Sequence, residues 1–284
     1  MPKGPDPCAP AQIDDEFLVI DWTPLLIGWA MMAVVMALLW LRQTRTQNAG
    51  IVDVAWAAGI GTLALSFGVV ADGQPQRRWL VAGLGAVWAF RLAWHLFRRV
   101  SGEQEDGRYR RMREDWGDRA RFNFFWFFQI QASWVALFAV PMFLAAQNPE
   151  ATWAWTDVVA MVVWVIAVVG ELVADRQLAR FRSRSENRGR VCREGLWAWS
   201  RHPNYFFEWV HWWTYVFLGL AAPWGWLTIL GPVLMLVFLV RVTGIPYTEA
   251  QAISSRGEAY REYQRSVSAF IPWPPRGDRR DTVD

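Results

Sequence analysis

Residues 200–240 read SRHPNYFFEWVHWWTYVFLGLAAPWGWLTILGPVLMLVFLV. Two apolar runs, 205–222 and 224–241, meet at the turn AAPWGW, and the first is headed by Ser200, Arg201, His202, Asn204 and Glu208. An apolar run of roughly 17 to 25 residues is long enough to cross a bilayer as a helix. A helix is required because hydrocarbon offers no partner to a free backbone N–H or C=O. The two runs therefore predict a membrane hairpin. A carboxylate and its polar neighbours at the head of such a helix are costly and mark a functional site.

Five more runs precede this pair, at 23–41, 51–70, 79–97, 122–146 and 152–174. The 284-residue chain is 54% hydrophobic and holds 21 Trp and 17 Phe, too apolar for an ordinary soluble domain. The expected fold is all-α, an integral membrane bundle of seven transmembrane helices. Residues 1–22 form an extracytoplasmic segment, 23–270 the bundle and 271–284 a polar tail, with extra short cytoplasmic helices in 98–121 and 246–270. The first residues carry Asp6, Asp14, Asp15, Glu16 and Asp21 against Lys3, the reverse of a basic signal-peptide start. The first span is therefore expected to be retained.

The arginines orient the bundle. Segments 42–50, 98–121, 175–204 and the tail from 241 hold 25 of the 29 Lys and Arg residues, whereas the opposite segments hold Lys3, Arg77 and Arg78. Positive residues stay on the cytoplasmic side. The N-terminus is thus expected outside and the C-terminus in the cytoplasm. The basic balance reflects this orientation and not nucleic-acid binding. Having 28 Arg against one Lys suggests a GC-rich bacterium, hence a bacterial plasma membrane. A monomer is compatible with the reading.

Cys8 and Cys192 fall on opposite sides of the membrane and are not expected to pair. No metal site is expected, because no two of the three histidines are spaced i, i+3 or i, i+4. Glycine-rich nucleotide motifs are absent, and GIGTLALSFG, inside span two, reads as small-residue helix packing.

Polar residues within the spans gather toward the arginine-rich side: Asp53, Arg91, His95, Gln129, Gln131, Glu171, Asp175, Asn204, Glu208, His211 and Arg241. The outer half is nearly bare. The expected consequence is one polar cavity open to the cytoplasm, with arginines at its mouth and carboxylates and amides deeper in. Arginines bind phosphates through paired N–H groups. A ligand with phosphates outside and a neutral hydrogen-bonding head inside matches such a cavity, and an apolar co-substrate could reach it from the lipid. Arginine-rich loops also serve as orientation signals and headgroup contacts.

The segments GLWAWSRHPNYFFEW, RVTGIPYTEAQ and RGEAYREYQRSVSAFIPWPP resemble the C-terminal half of the membrane steroid 5α-reductase family. The resemblance is strong over about 171–272. It continues more weakly over 48–121, where IVDVAW and WAFRLAWHLFRR match the bacterial branch. Sterol C14-type reductases share a similar RHPNY with an acid four residues after the Asn. Isoprenylcysteine carboxyl methyltransferases, which bind S-adenosylmethionine, also carry RHPxY but lack that Asn and acid. Asn204 with Glu208 therefore favours a reductase, with a methyltransferase as the alternative and a non-enzymatic lipid-binding protein as the second alternative.

The resemblance implies NADPH-dependent reduction of a C=C bond conjugated to a ketone, in a steroid or isoprenoid-like lipid. It implies that Asn204 and Glu208 lie near the nicotinamide, and that Arg182 and Arg190, with Asp175 before them, serve the phosphate-bearing part. Arg91 and Arg241 match family arginines, His202 and Tyr205 are implied wall residues, and Tyr263 is a weaker candidate. Asp53 and Glu208 are the implied catalytic groups, Asp53 acting on the ketone oxygen only if protonated. One departure stands out: a tyrosine position of span three is occupied by Trp88.

Overall fold

The computed structural model describes residues 20–102 and 105–275. Asp6, Asp14, Asp15 and Glu16, with Lys3, Cys8 and the tail arginines from Arg276 onward, lie outside the described residues. Among the described residues ten α-helices follow in order: α1 Thr23–Thr46, α2 Ile51–Val70, α3 Pro75–Gly102, α4 Gly107–Trp116, α5 Ala120–Ala146, α6 Trp155–Ser183, α7 Pro203–Gly219, α8 Leu230–Val237, α9 Ile245–Arg256 and α10 Glu258–Ser266. Among the described residues the strand-type pairing is an isolated parallel bridge between Ser200 and Ser268.

Among the described residues six helical stretches are long and apolar enough to cross a membrane: α1, α2, α3, the α4–α5 stretch Gly107–Ala146, α6, and Gly225–Arg256, which contains α8. Such a set marks a multi-pass integral membrane protein. The remaining expected span, 205–222, is α7, a helix of 17 residues, about 25 Å long at 1.5 Å per residue. α6 outlasts its predicted run and reaches Ser183, because its arginine-bearing end stays helical beyond the apolar part. The last expected span is not one regular helix. A 3₁₀ turn at Gly225–Ile229 leads into α8, and a π turn at Phe238–Val242 ends it. Pro232 near the start of α8 has no N–H to give to the helix, and its carbonyl accepts from the Trp209 indole at 3.0 Å.

α5 is the spine, packing against α1, α2, α3, α7 and α8. Phe124, Phe128, Phe138 and Phe143 on it are buried together with Phe67, Trp88, Trp212 and Tyr215. α2 and α3 approach through small residues. A Cβ added at Gly61 would lie 2.8 Å from the Ala89 Cβ, and one at Gly85 would lie 2.9 Å from the Ala64 Cβ. Helices in lipid associate by such close packing, since burial from lipid gives little hydrophobic gain.

The end of the bundle away from the arginines is not bare of polar groups, contrary to expectation. Arg77 at the start of α3 meets Asp157 at the start of α6 through Nε–Oδ1 at 3.0 Å and Nη2–Oδ2 at 2.6 Å. The same guanidinium donates to Asn148 Oδ1 at 3.2 Å, to Thr152 O at 2.8 Å and to Glu150 O. Asn148 in turn donates to Leu218 O of α7 at 2.7 Å. Both charged side chains are nearly inaccessible, at 4% and 1%. These groups are missed by counting polar residues along each span because they sit at helix starts and are paired across helices. They close this end of the bundle. Removing one partner of a buried ion pair typically costs about 3 to 5 kcal/mol. Asp157→Asn is therefore expected to lower the detergent melting temperature by about 5 to 10 °C, and an unchanged melting temperature would contradict the closure.

Candidate functional site

The helix carrying the candidate residues starts where its sequence dictates. Pro203 occupies the first turn of α7, where its missing N–H has no intrahelical partner to lose and its fixed φ suits the helix. The preceding turn is held by the returning C-terminal segment. Arg201 N donates to Ser268 O at 2.8 Å, Ser200 Oγ to Phe270 O at 2.8 Å, and Trp273 N to Trp199 O at 2.9 Å. The Arg201 guanidinium bonds Glu249 Oε1 at 2.6 Å and the carbonyls of Gln264 and Val267. The IPWPP segment, residues 271–275, thus passes back over the head of α7.

At this arginine-rich end a cavity of about 930 Å³ opens between α3, α6, α7 and α9–α10. Its inner wall includes His95, Asp175 and Asn204, and its rim includes Arg182, Arg188 and Arg190. Asn204 Nδ2 donates to Asp175 Oδ1 at 3.3 Å, linking α7 to α6. His202 stacks on Tyr205 with ring centroids 5.3 Å apart and faces Glu249 Oε1 at 3.3 Å. Tyr205 OH lies 3.1 Å from Thr248 Oγ1. The rim loop is tied down by Tyr263 OH, which donates to Trp197 O, by Trp197 Nε1 on Ala174 O at 2.9 Å, and by Arg256 Nε on Arg190 O at 3.0 Å. Gly195 in this loop has φ +57°, and the Gln177 amide occupies the place a Cβ would take. Gln177 Oε1 accepts from Leu196 N at 2.9 Å.

Of the residues singled out in the sequence, Asp53, Asp175, Arg182, Arg190, His202, Asn204, Tyr205 and Tyr263 line this cavity. Arg91, Glu208 and Arg241 are not among its lining residues. Arg91 is turned to Glu171 of α6 as an ion pair, and Arg241 is exposed at the π turn. Glu208, one turn past Asn204, is buried behind the lining, and its Oε2 accepts the Trp88 indole N–H at 2.9 Å. Asp53 sits at the mouth with Arg108 Nη2 at 3.1 Å and Tyr109 OH at 2.7 Å. Both of its oxygens accept hydrogen bonds from residues of α4. Tyr109 and Glu171 went unassigned in the sequence. Glu171 was visible as an acid within a span, whereas Tyr109 carries no local signal, because α4 reads as an ordinary basic surface helix.

The arginine-rimmed cavity is within the ordinary size range of small-molecule pockets. The chain belongs to the family described as a protein of unknown function, DUF1295, whose model matches residues 39–267. It is similar to an uncharacterized protein of Schizosaccharomyces pombe, 26% identical over 285 residues, covering 88% of this chain and 80% of that protein. No solved structure matches it significantly.

Cys192 lines the cavity and offers a native probe of it. Burial pushes its thiol above the usual value. Only the thiolate is an effective nucleophile. In a Cys8→Ser background, N-ethylmaleimide labelling of Cys192 should be slow at pH 7 and accelerate as pH rises past 9. Labelling at pH 7 as fast as that of an exposed thiol would contradict the buried placement.

Proposed function

We propose that the protein is a seven-span membrane reductase, with its N-terminus outside and its C-terminus in the cytoplasm, that reduces the C=C bond of a steroid or isoprenoid-like enone with NADPH. One observation carries the reading: the cavity joins a rim of arginines to the Asn204–Asp175 pair, with the buried Glu208 one turn further along α7. Phosphates and a neutral amide-bearing head would each find their chemical match there. The resemblance over 171–272 points the same way.

The residues present fit the cofactor. Arg182 and Arg190 would face its phosphates, where a guanidinium matches phosphate oxygens in pairs. Asn204 and Glu208 would hold the nicotinamide end, so that the ring offers one face to the substrate. When bound, NADPH supplies the hydride for the β-carbon of the enone. The charge left on the ketone oxygen needs donors already in place. Asp53 serves by orienting Arg108 and Tyr109 rather than by giving up a proton itself. The closed ion-pair network at Arg77 and Asp157 leaves the arginine-rich end as the side for cofactor entry, and the apolar substrate arrives from the bilayer.

Thermal shift of the purified protein with NADPH, NADH and S-adenosylmethionine in parallel tests the class, since a ligand of the folded state raises the melting temperature. NADPH is expected to stabilise the protein, with Glu208→Gln and Asn204→Ala abolishing reduction of 4-en-3-one steroids while folding normally. Stabilisation by S-adenosylmethionine alone would instead establish a methyltransferase. A C-terminal green-fluorescent-protein fusion should fluoresce in a bacterial host, and a dark fusion of full-length protein would reverse the orientation.

A further inference from the structure

A second pocket lies outside the arginine-rimmed cavity and has no part in the chemistry so far. It has a volume of about 440 Å³ and opens between the end of α1, the end of α4 and the start of α5. It sits at the same end of the bundle as the cavity, since Asn48 and Gly50, just past α1, line that cavity. Two contacts between helices build it. Trp40 of α1 donates its indole N–H to Arg121 O of α5 at 2.9 Å. Arg113 of α4 donates from Nη2 to Gln43 Oε1 of α1 at 3.3 Å, and to Glu105 Oε1 at 2.8 Å.

The walls carry polar groups that do not satisfy one another. Gln43 lines the pocket and is only 1% exposed. Its Oε1 is taken by Arg113, whereas its Nε2 donates to no other group among the described residues. A buried amide donor facing a pocket finds its acceptor there. Asp118 and Arg121 also line the pocket, and among the described residues neither side chain is ion-paired or hydrogen-bonded. The Arg121 guanidinium lies 5.6 Å from the centroid of the Trp40 ring. Asp118 and Arg121 are three residues apart, across the 3₁₀ turn Gly117–Arg119 that leads into α5, and side chains so spaced in such a turn stand one above the other.

Apolar side chains continue the pocket toward the membrane. Leu41, three residues before Thr44 of the pocket wall, and Phe122, four after Asp118, share helix faces with those residues. Both are exposed, on stretches long and apolar enough to span the bilayer. Trp40 stands near the end of α1, the level at which indole rings meet headgroups.

We infer that this pocket holds the headgroup of a phospholipid bearing a primary ammonium. The phosphate accepts from Arg121 and Gln43, since a guanidinium and an amide N–H both suit phosphate oxygens. The ammonium donates to Asp118, and the acyl chains run down beside Leu41 and Phe122. A quaternary ammonium has no N–H to give to Asp118. A purely anionic headgroup would set its charge against that carboxylate. The site is independent of the reductase reading.

The test measures dissociation constants of phosphatidylethanolamine, phosphatidylcholine and phosphatidylglycerol with matched acyl chains, by native mass spectrometry of the delipidated full-length protein. It compares the wild type with Asp118→Asn and Arg121→Gln, both at exposed positions. The wild type is expected to bind phosphatidylethanolamine about tenfold tighter than phosphatidylcholine, the size of one hydrogen bond between charged groups. Asp118→Asn should remove that preference by weakening phosphatidylethanolamine alone. Arg121→Gln should weaken both lipids about tenfold, because both carry the phosphate. Phosphatidylglycerol bound as tightly as phosphatidylethanolamine overturns the inference and marks general attraction to a basic surface. Displacement of the lipid by an equal concentration of inorganic phosphate overturns it in favour of a soluble anion. Wild-type affinities in both variants also overturn it. If Arg121→Gln lowers the lipid-free melting temperature, Asp118→Asn decides alone.

Discussion

A polar group inside hydrocarbon must find a partner within the protein, and most of this structure follows from that requirement. Backbone groups meet it by forming helices. Charged side chains meet it in pairs that join different helices: Arg77 with Asp157 ties α3 to α6 at one end, Arg91 with Glu171 ties the same two helices further along, and Arg108 with Asp53 ties α4 to α2. Each pair is worth little as a net source of stability, because desolvation offsets attraction. Their effect is on register. A helix displaced by one turn would leave two buried charges alone.

Close packing supplies what the hydrophobic effect cannot supply in lipid. The Gly61–Ala89 and Gly85–Ala64 contacts bring α2 and α3 together, and α5 fills the centre with aromatic rings. The polar cavity is confined to one end as a result. At the opposite end the loop between α5 and α6 is drawn down by Arg77. At the open end, the segments around the cavity are arginine-rich, and they are held by carbonyl contacts from Tyr263, Arg201 and Arg256.

Much of the candidate site was legible along the chain. Asp175 and Asn204 stand out because polar residues are rare in apolar spans, His202 and Tyr205 through the resemblance, and the structure brings all four to one cavity. Arg91 and Arg241 were equally conspicuous but went elsewhere, one to an ion pair and one to the surface. A charge within a span declares that it needs a partner without declaring which. Trp88 shows the converse. As a residue in a tryptophan-rich helix it looks like core, and only the packing of α3 against α7 gives its N–H to Glu208.

The sequence by itself determined the helical membrane class and the positions of most helices, because both depend on the local length and composition of apolar runs. It also placed a polar cluster at the arginine-rich end, but not the Arg77–Asp157 network at the other. Only the tertiary structure decided which of those groups meet. It turned Asp53 from a lone acid into the acceptor for Arg108 and Tyr109, and broke the last apolar run into 3₁₀, α and π turns. Those outcomes depend on distances between helices far apart in the chain, which no local pattern of residues encodes.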